Sequence, residues 1–577
     1  MARRINTRLR IEGTLVAQTP LHVGGFGESV DTDLPLAQNG KGKWYVPGTS
    51  IAGVLRGWCE KNFREPDGSV QKIVTELFAP RRERGKEEGH ASFVLVEDAT
   101  IGSDGVFAEI RDGVGIDRYH GAAADKAKFD RAILPRGTKL NFVMTVEIGA
   151  RKEQDKNVKT EADKKGESKE EFELRERRTK AIFGHLLSAL QREKIRFGAA
   201  RTRGLGRVKL LGKQKEGGTF EPESEIKEQS LLGFENMLSL LKGGGIVRSV
   251  KDLQDAASLS RNPAPCLEIA VDWKPRLPVM VKAGYDGIGV DMLPLTSRVH
   301  KDELALCLPG SSIKGALRSH AERIVRTLLD GEDRRPEFRT KGKPNFHDQI
   351  KALPLIDELF GAKKEKNAKH ERLGLGALTV DDCYATGTMN AAAWRKVETA
   401  RDAKPQDEAK ARQNASELWR YLREIDERTS ALPEAEYEKD TSRFRVSHHV
   451  AIDRWTGGAS EGALYSVLAP SKVDWEEMRL TLDFGRIEEN LRRPALMLFF
   501  LTLRDVAGNR LPFGFAANRG LGEVVVEKIK IAGQGLGDEL QELTKFETGG
   551  KFIELSADLK ERLEKEWDTW RKSNQQS

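Results

Sequence analysis

At 577 residues the chain is too long for one hydrophobic core, and length alone predicts two or three domains. A hydrophobic share of 38% beside a charged share of 32% describes a soluble globular protein with over-charged segments, and no run approaches the roughly 18 apolar residues of a membrane helix. A net charge of +7 permits nucleic-acid binding without demanding it, so a basic excess has to be local to matter.

The N-terminal M-A-R-R-I-N-T-R-L-R is basic but leads into a strand-like alternation and not an apolar signal core, which reads as cytoplasmic. Residues 8–23 predict the first strand. A Gly-rich loop follows and carries Asp31 and Asp33; a short W-Y-V strand then ends at Pro47. In P-G-T-S-I-A-G-V-L-R-G-W, Thr49 or Ser50 can cap a helix whose Ile51, Val54, Leu55 and Trp58 fall at i, i+3, i+4 and i+7. Residues 92–101 predict a strand, 114–137 an extended hairpin with a small-residue tip, and 138–149 another strand. The segment 150–177 is dense in Lys, Glu and Arg and reads as a solvated helix or disordered insertion. A helix at about 178–192 leads into F-G-A-A-R-T-R-G-L-G-R-V at Phe197 to Val208. There Gly198, Gly204 and Gly206 allow close backbone approach beside Arg201 and Arg203, which suits an anion, a strand corner or a plain loop. A final strand R-V-K-L-L follows, and the Gly, Ser, Glu and Lys of 213–262 read as an inter-domain linker. Cys59, Cys266, Cys307 and Cys383 are scattered without a C-x-x-C pair, so free thiols are expected and a structural zinc site is not.

The pattern then repeats. C-L-E-I-A-V-D-W-K-P-R-L-P-V-M-V at 266–281 parallels the first strand, and P-G-S-S-I-K-G-A-L-R at Pro309 to Arg318 matches P-G-T-S-I-A-G-V-L-R at Pro47 to Arg56. E-L-F recurs at Glu76 and Glu358. A-I-D-R-W-T-G-G-A at Ala451 echoes G-I-D-R-Y-H-G-A-A at Gly115, with an aromatic residue, Phe129 or Tyr465, thirteen residues after each Ile. F-G-F-A-A-N-R-G-L-G at Phe513 to Gly522 repeats the glycine loop; Gly198, Arg203, Gly204 and Gly206 recur as Gly514, Arg519, Gly520 and Gly522, whereas Arg201 does not. No Lys-Ser/Thr follows either loop, which removes a nucleoside-triphosphate cradle. The offset between copies grows from 258 residues at the first strand to 336 at I-D-R, so the second copy carries a large extra segment within 319–445.

The set P-G-[ST]-S-I-x-G-x-L-R, I-D-R-x-x-G-x-A and R-G-L-G resembles the RAMP superfamily, in particular the backbone subunit of type III CRISPR effector complexes. The chain resembles two such subunits fused in tandem, as in type III-D variants. The resemblance implies an α+β chain of two tandem ferredoxin-like, RRM-type domains, each with a β-hairpin thumb and insertions. The domains are 1–212 (charged insertion 150–177), a linker at 213–262, 263–535 (insertion 319–445) and a helical C-terminal tail at 536–577. It also implies that the subunit holds guide RNA, with the thumb interrupting the guide–target duplex at six-nucleotide intervals, and that it works with other type III effector subunits and complementary target RNA.

Helix N-termini at Ser50 and Ser312 are phosphate sites in this reading, and Arg56, Lys314 and Arg318 add counterion-releasing charge; otherwise these arginines form a solvated face. The glycine loops contribute Gly198, Arg203, Gly204 and Gly206, then Gly514, Arg519, Gly520 and Gly522. The thumbs carry Ile116, Asp117 and Arg118, and Ile452, Asp453 and Arg454, the aspartates being structural partners of an Arg at the thumb base.

The family resemblance further implies metal-dependent endoribonuclease activity through an Asp after the first strand, with Mg2+ or another divalent cation. Asp31 and Asp33 compete for that place. Ungapped pairing of Pro20 with Pro278 matches Asp33 to Asp291, although Asp291 has one residue more before its proline, and loops favour Asp for turn reasons anyway. The catalytic and metal candidates are therefore Asp33 and Asp291, with Asp31 as a further catalytic candidate. His22 reads as strand-face packing, because its counterpart is Met280, and His448 and His449 as incidental. A non-catalytic guide-binding scaffold and an endonuclease that matures guide precursor are the alternative functions.

Overall fold

Alternation in T-R-L-R-I-E-G-T-L-V-A sends Leu9, Ile11 and Leu15 to one face, and in the computed structural model these side chains are fully buried in strand β1 (Thr7–Ala17). The structure describes residues 5–25, 32–80, 90–102, 107–118, 121–149, 167–213, 224–231, 234–329, 353, 355–362, 374–400, 408–425, 443–549 and 555–575. Two compact units divide the chain. One holds Met1–Ala108, Ala132–Arg201 and Leu205–Ala264; the other holds Glu109–Arg131, Thr202–Gly204 and Pro265–Ser577.

In chain order the first unit runs β1, α1 (Gly48–Asn62), β2 (Val94–Val96), β3 (Lys139–Ile148), α2 (Lys169–Gln191), β4 (Val208–Leu211) and β5 (Glu225–Ser230). Its sheet is antiparallel, with β1 between β3 on one side and β4 and β5 on the other; β2 lies outside β3. Ile51, Leu55 and Cys59 of α1 and Ile182, Phe183, Leu186, Leu187 and Leu190 of α2 join the strand residues in one core. The second unit repeats this order as β6 (Cys266–Pro275), α3 (Gly310–Leu329), β7 (Leu378–Val380), β8 (Met478–Asp483), α4 (Arg492–Ala507) and β9 (Val524–Gln534). Its sheet reads β7-β8-β6-β9, extended by β10 (Lys545–Gly549), and α5 (Ala557–Gln575) packs Leu559, Leu563, Trp567 and Trp570 into the same core. In both sheets the first strand of the repeat lies between the third and the fourth, and the second lies outside the third.

Several sequence boundaries need correction. The stretch 213–262 is not a linker: β5 within it pairs with β1 from Thr7 opposite Ser230 to Glu12 opposite Glu225, and Val250 and Leu253 are buried in the core of the first unit. The span 319–445 is not all insertion. Ala321, Val325 and Leu329 continue the buried stripe of α3, and β7 is the counterpart of β2. Helix α2 starts at Lys169, inside the charged segment, because Ser168 and Glu171 form a reciprocal capping box with bonds of 2.8 and 3.2 Å. Neither Thr49 nor Ser50 caps α1; Pro47 holds the N-cap position without a side-chain bond.

Candidate nucleic-acid interface

Each glycine loop clasps the segment just after the first strand of its copy in the same way. A Cβ on Gly198 would lie 2.1 Å from the His22 carbonyl oxygen, and one on Gly514 2.2 Å from that of Met280. That close approach lets Ala199 N–H donate to His22 O at 2.8 Å and Phe515 N–H to Met280 O at 2.7 Å. Gly206 and Gly522 donate to the carbonyls of Pro20 and Pro278, both at 2.8 Å. The glycines thus serve backbone packing, and Gly204 is also enclosed: the Asp382 carboxylate fills the place of its missing Cβ. The charge at the loops is carried by Arg203 and Arg519, which are exposed.

In the second unit, three separate stretches of sequence converge. Asp291 accepts at Oδ2 from the Ser466 backbone N–H at 2.6 Å and from Ser466 Oγ at 2.9 Å, while its own N–H donates to Ser466 Oγ at 3.0 Å. The neighbouring Tyr465 accepts from Arg519 Nη1 of the glycine loop, with the guanidinium 5.9 Å from the ring centre. His449 also stacks on that ring, at 5.2 Å and 16°. The loop aspartate, the base of the hairpin Phe444–Ile452 with Ala459–Pro470, and the loop arginine therefore form one patch whose carboxylate and guanidinium both face water.

The first copy shows the same backbone register. Leu34 O accepts Ala132 N–H at 3.0 Å, as Met292 O accepts Leu468 N–H at 2.9 Å, so Asp33 and Asp291 occupy equivalent places. Asp33 is exposed, and Asp31 lies outside the described residues. His22 is buried with Nδ1 2.7 Å from Ala132 O, a packing position.

A family model of the RAMP superfamily matches residues 14–209 and 300–525. The chain belongs to the RAMP superfamily. Comparison with curated proteins found no match. The two matched stretches are the two copies of the repeat, so this RAMP chain is a tandem one, and they contain both glycine loops and both I-D-R motifs.

The I-D-R motifs of this RAMP protein sit at the hairpin turns, not at the thumb base. Asp453 Oδ1 accepts from Trp455 and Thr456 N–H, each at 2.8 Å, and these bonds pull its pKa below the usual carboxylate value. Asp117 N–H donates to Ala122 O at 2.8 Å, as Asp453 N–H does to Gly458 O at 2.9 Å. Arg118 pairs with Glu322 at 2.7 Å, whereas Arg454 is exposed. Ile116, Ile452 and Leu464 are exposed apolar side chains, and Trp455 at the second turn is 97% exposed.

The helix positions expected to bind phosphate are engaged inside the fold. Ser50 and Ile51 N–H donate to Pro47 O at 2.9 and 3.2 Å, and Ser312 and Ile313 N–H to Pro309 O at 2.9 and 3.2 Å. Arg56 pairs with Glu60 at 2.8 Å. Arg318 pairs with Glu322 at 2.7 Å and donates to Gly361 O at 2.8 Å. Lys314 is buried, donates from Nζ to Leu378 O at 2.6 Å, and has its pKa lowered to about 7 by burial and by Arg203, Arg318 and Arg486.

Sequence reasoning missed the carboxylates at these helix starts. Asp98 accepts from Gly48 N–H and Asp382 from Gly310 N–H, both at 2.8 Å, and each occupies the N-terminal end where an anion was expected. The signal was present as V-E-D-A at 96–99 and V-D-D-C at 380–383. Among the described residues no three His, Cys, Asp or Glu side chains converge to hold a metal ion.

Proposed function

We propose that this RAMP chain is a double guide-RNA-binding backbone subunit of a type III CRISPR ribonucleoprotein that also cuts bound target RNA at six-nucleotide spacing. The convergence of Asp291, the hairpin base and the loop arginine Arg519 in one exposed patch carries the reading, and the register that places Asp33 equivalently extends it to the first copy. The strand order supports a ferredoxin-like, RRM-type core in each half.

Arg203 and Arg519 are the exposed cations of the loops and meet the guide backbone. The hairpins, with Trp455, Ile452 and Leu464 facing water, stack against bases and splay the target toward in-line geometry. The target 2′-hydroxyl attacks its own adjacent phosphate, forming a 2′,3′-cyclic phosphate as the bond from phosphorus to the 5′-oxygen breaks; the Asp33 or Asp291 carboxylate accepts the hydroxyl proton, and the departing 5′-oxygen takes a proton from water. An exposed carboxylate is a fitting donor for a hard divalent cation such as Mg2+, with RNA oxygens and water as the remaining ligands; when bound, the ion neutralises charge on the reacting phosphate. A scaffold role without chemistry is favoured at the second site by one observation: Ser466 already holds Asp291 Oδ2 with two hydrogen bonds.

Nuclease footprinting of the assembled complex tests the binding part. Protection of two adjacent six-nucleotide guide units by this one chain is expected. Protection of a single unit, or none, would refute the tandem reading.

A further inference from the structure

In sequence His448 reads as incidental, but three neighbouring strands of the second unit bring it to the Asp291 site. His448 lies directly opposite Ser466 in the hairpin Phe444–Ile452 with Ala459–Pro470. On the other edge of the Ala459–Pro470 strand, Met292 bridges Val467 in parallel, its N–H donating to Ser466 O at 3.0 Å and its carbonyl accepting from Leu468 N–H at 2.9 Å. One residue back in that register Asp291 neighbours Ser466, whose N–H and Oγ both bond its Oδ2. Side chains alternate along a strand, and residues paired directly across strands share a face. His448, Ser466 and Asp291 therefore stand in one row on one face. His449, Tyr465, Val467 and Met292 take the other, where His449 stacks on Tyr465 and where Met292 and Tyr465 pack against Val467.

The row holds a base and an acid on its outer strands. Ser466 occupies only Oδ2 of Asp291, and Asp291 is exposed, so Oδ1 faces water. His448 is exposed too and has no hydrogen bond or ion pair among the described residues. The adjoining pairs on its face are Val446 with Leu468 and Val450 with Leu464, so no other side chain of those pairs can give a proton. Adjacent strands lie about 4.8 Å apart, which sets the two outer backbones roughly 10 Å from each other. With the carboxylate drawn inward by Ser466 and an imidazole reaching from the far strand, that span accommodates one phosphate. In-line displacement puts the entering 2′-oxygen and the departing 5′-oxygen on opposite sides of phosphorus, so its base and its acid must flank the phosphate in this way.

We propose that His448 is the catalytic acid of the second cutting site, giving its proton to the departing 5′-oxygen where water would otherwise do so. The inference rests on the cutting role proposed above for Asp291. The 2′-oxygen loses its proton to Asp291 and bonds phosphorus, the bond from phosphorus to the 5′-oxygen breaks, and the imidazolium proton passes to that oxygen; the imidazole then regains a proton from water. Imidazole suits the step because it both holds and releases a proton near neutral pH. The first copy has no such donor. Counted from the I-D-R motif, Asp112 stands at the place of His448 and Asp130 at that of Ser466, and Asp112 pairs with Lys128 at 2.9 Å. The two sites of one chain thus protonate the leaving group differently.

The test measures single-turnover cutting by the assembled complex with Mg2+ on two target RNAs. One is ordinary; the other carries a bridging sulfur in place of the 5′-oxygen at the cut opposite the second copy, and its thiolate leaves without needing a proton. His448→Gln should slow the second cut of ordinary RNA by about 100- to 10,000-fold, the contribution of one positioned acid, while the first cut, guide binding and the thermal midpoint stay unchanged. On the sulfur-bridged RNA, His448→Gln should cut as fast as wild type. An unchanged second cut of ordinary RNA, equal slowing on both RNAs, slowing of both cuts, or a wild type that leaves the target whole opposite the second copy overturns the proposal. Asp291→Ala should be slow on both RNAs. If it cuts both normally while His448→Gln still shows sulfur rescue, the Asp291 reading fails and the acid assignment stands, so the two failures are distinguishable.

Discussion

Replacing Lys314 by Met should stabilise the protein, and by an amount that depends on pH. Lys314 is buried on α3 with its ammonium 2.6 Å from Leu378 O, and its pKa falls from 10.5 to about 7 on folding. A base whose folded pKa is depressed binds fewer protons in the native than in the unfolded state, so stability rises with pH between the two values and is lowest below the folded one. With these pKa values the burdened charge costs on the order of 4–5 kcal/mol at pH 6 and about 2 kcal/mol at pH 9. Methionine has similar volume but forfeits the bond to Leu378 O, worth about 1 kcal/mol. The expected net gain is therefore about 3–4 kcal/mol at pH 6, shrinking to about 1 kcal/mol at pH 9. Thermal unfolding of wild type and Lys314→Met across that range measures it, and guide-RNA affinity should be unchanged because the ammonium is enclosed. A gain that is independent of pH, a loss of stability at pH 6, or a large loss of RNA affinity would refute the reasoning.

Asp382→Ala leaves the Arg111 guanidinium without its carboxylate partner and Gly310 N–H without its acceptor, a loss of about 3–5 kcal/mol seen in thermal or chaotrope unfolding. Arg111→Met combined with Asp382→Asn should recover most of that, and a double variant no better than Asp382→Ala would contradict the pairing. Trp455→Ala should weaken binding of target RNA to the guide-loaded particle by about 5- to 100-fold, the range for one lost base stack, without changing stability, since the side chain is 97% exposed. Arg519→Ala should lower guide affinity and flatten its salt dependence, whereas Arg318→Ala should chiefly destabilise α3 through Glu322 and Gly361; equilibrium binding at several salt concentrations separates the two.

The repeat was the legible part of this sequence. Pro20 with Pro278 and Asp33 with Asp291 paired without gaps in the sequence, and the bonds from Gly206 and Gly522 to those prolines show the same register in space. The apolar stripe at Ile51 and Leu55 was equally plain, because 3.6-residue periodicity is written in side-chain type. Ion pairing was not legible. Arg56, Lys314 and Arg318 look alike as basic residues in a motif, and only the fold reveals that Glu60, Leu378 O and Glu322 consume them. The Asp98 and Asp382 caps were hidden for a similar reason: each lies in a loop far along the chain from the helix it caps, so no local spacing rule finds it. The strand Glu225–Ser230 looks like linker in sequence because Glu, Lys and Gln dominate it, yet as a strand beside β1 it needs only Ile226 in the core.

The measurement closest to the central claim is the map of cuts in a complementary target RNA incubated with the assembled complex and Mg2+. Wild type should cut at two positions six nucleotides apart opposite this chain, with Asp33→Ala abolishing one cut and Asp291→Ala the other while guide binding is retained. If every cut survives both substitutions, these aspartates are not the cutting residues and the catalytic part of the account is wrong.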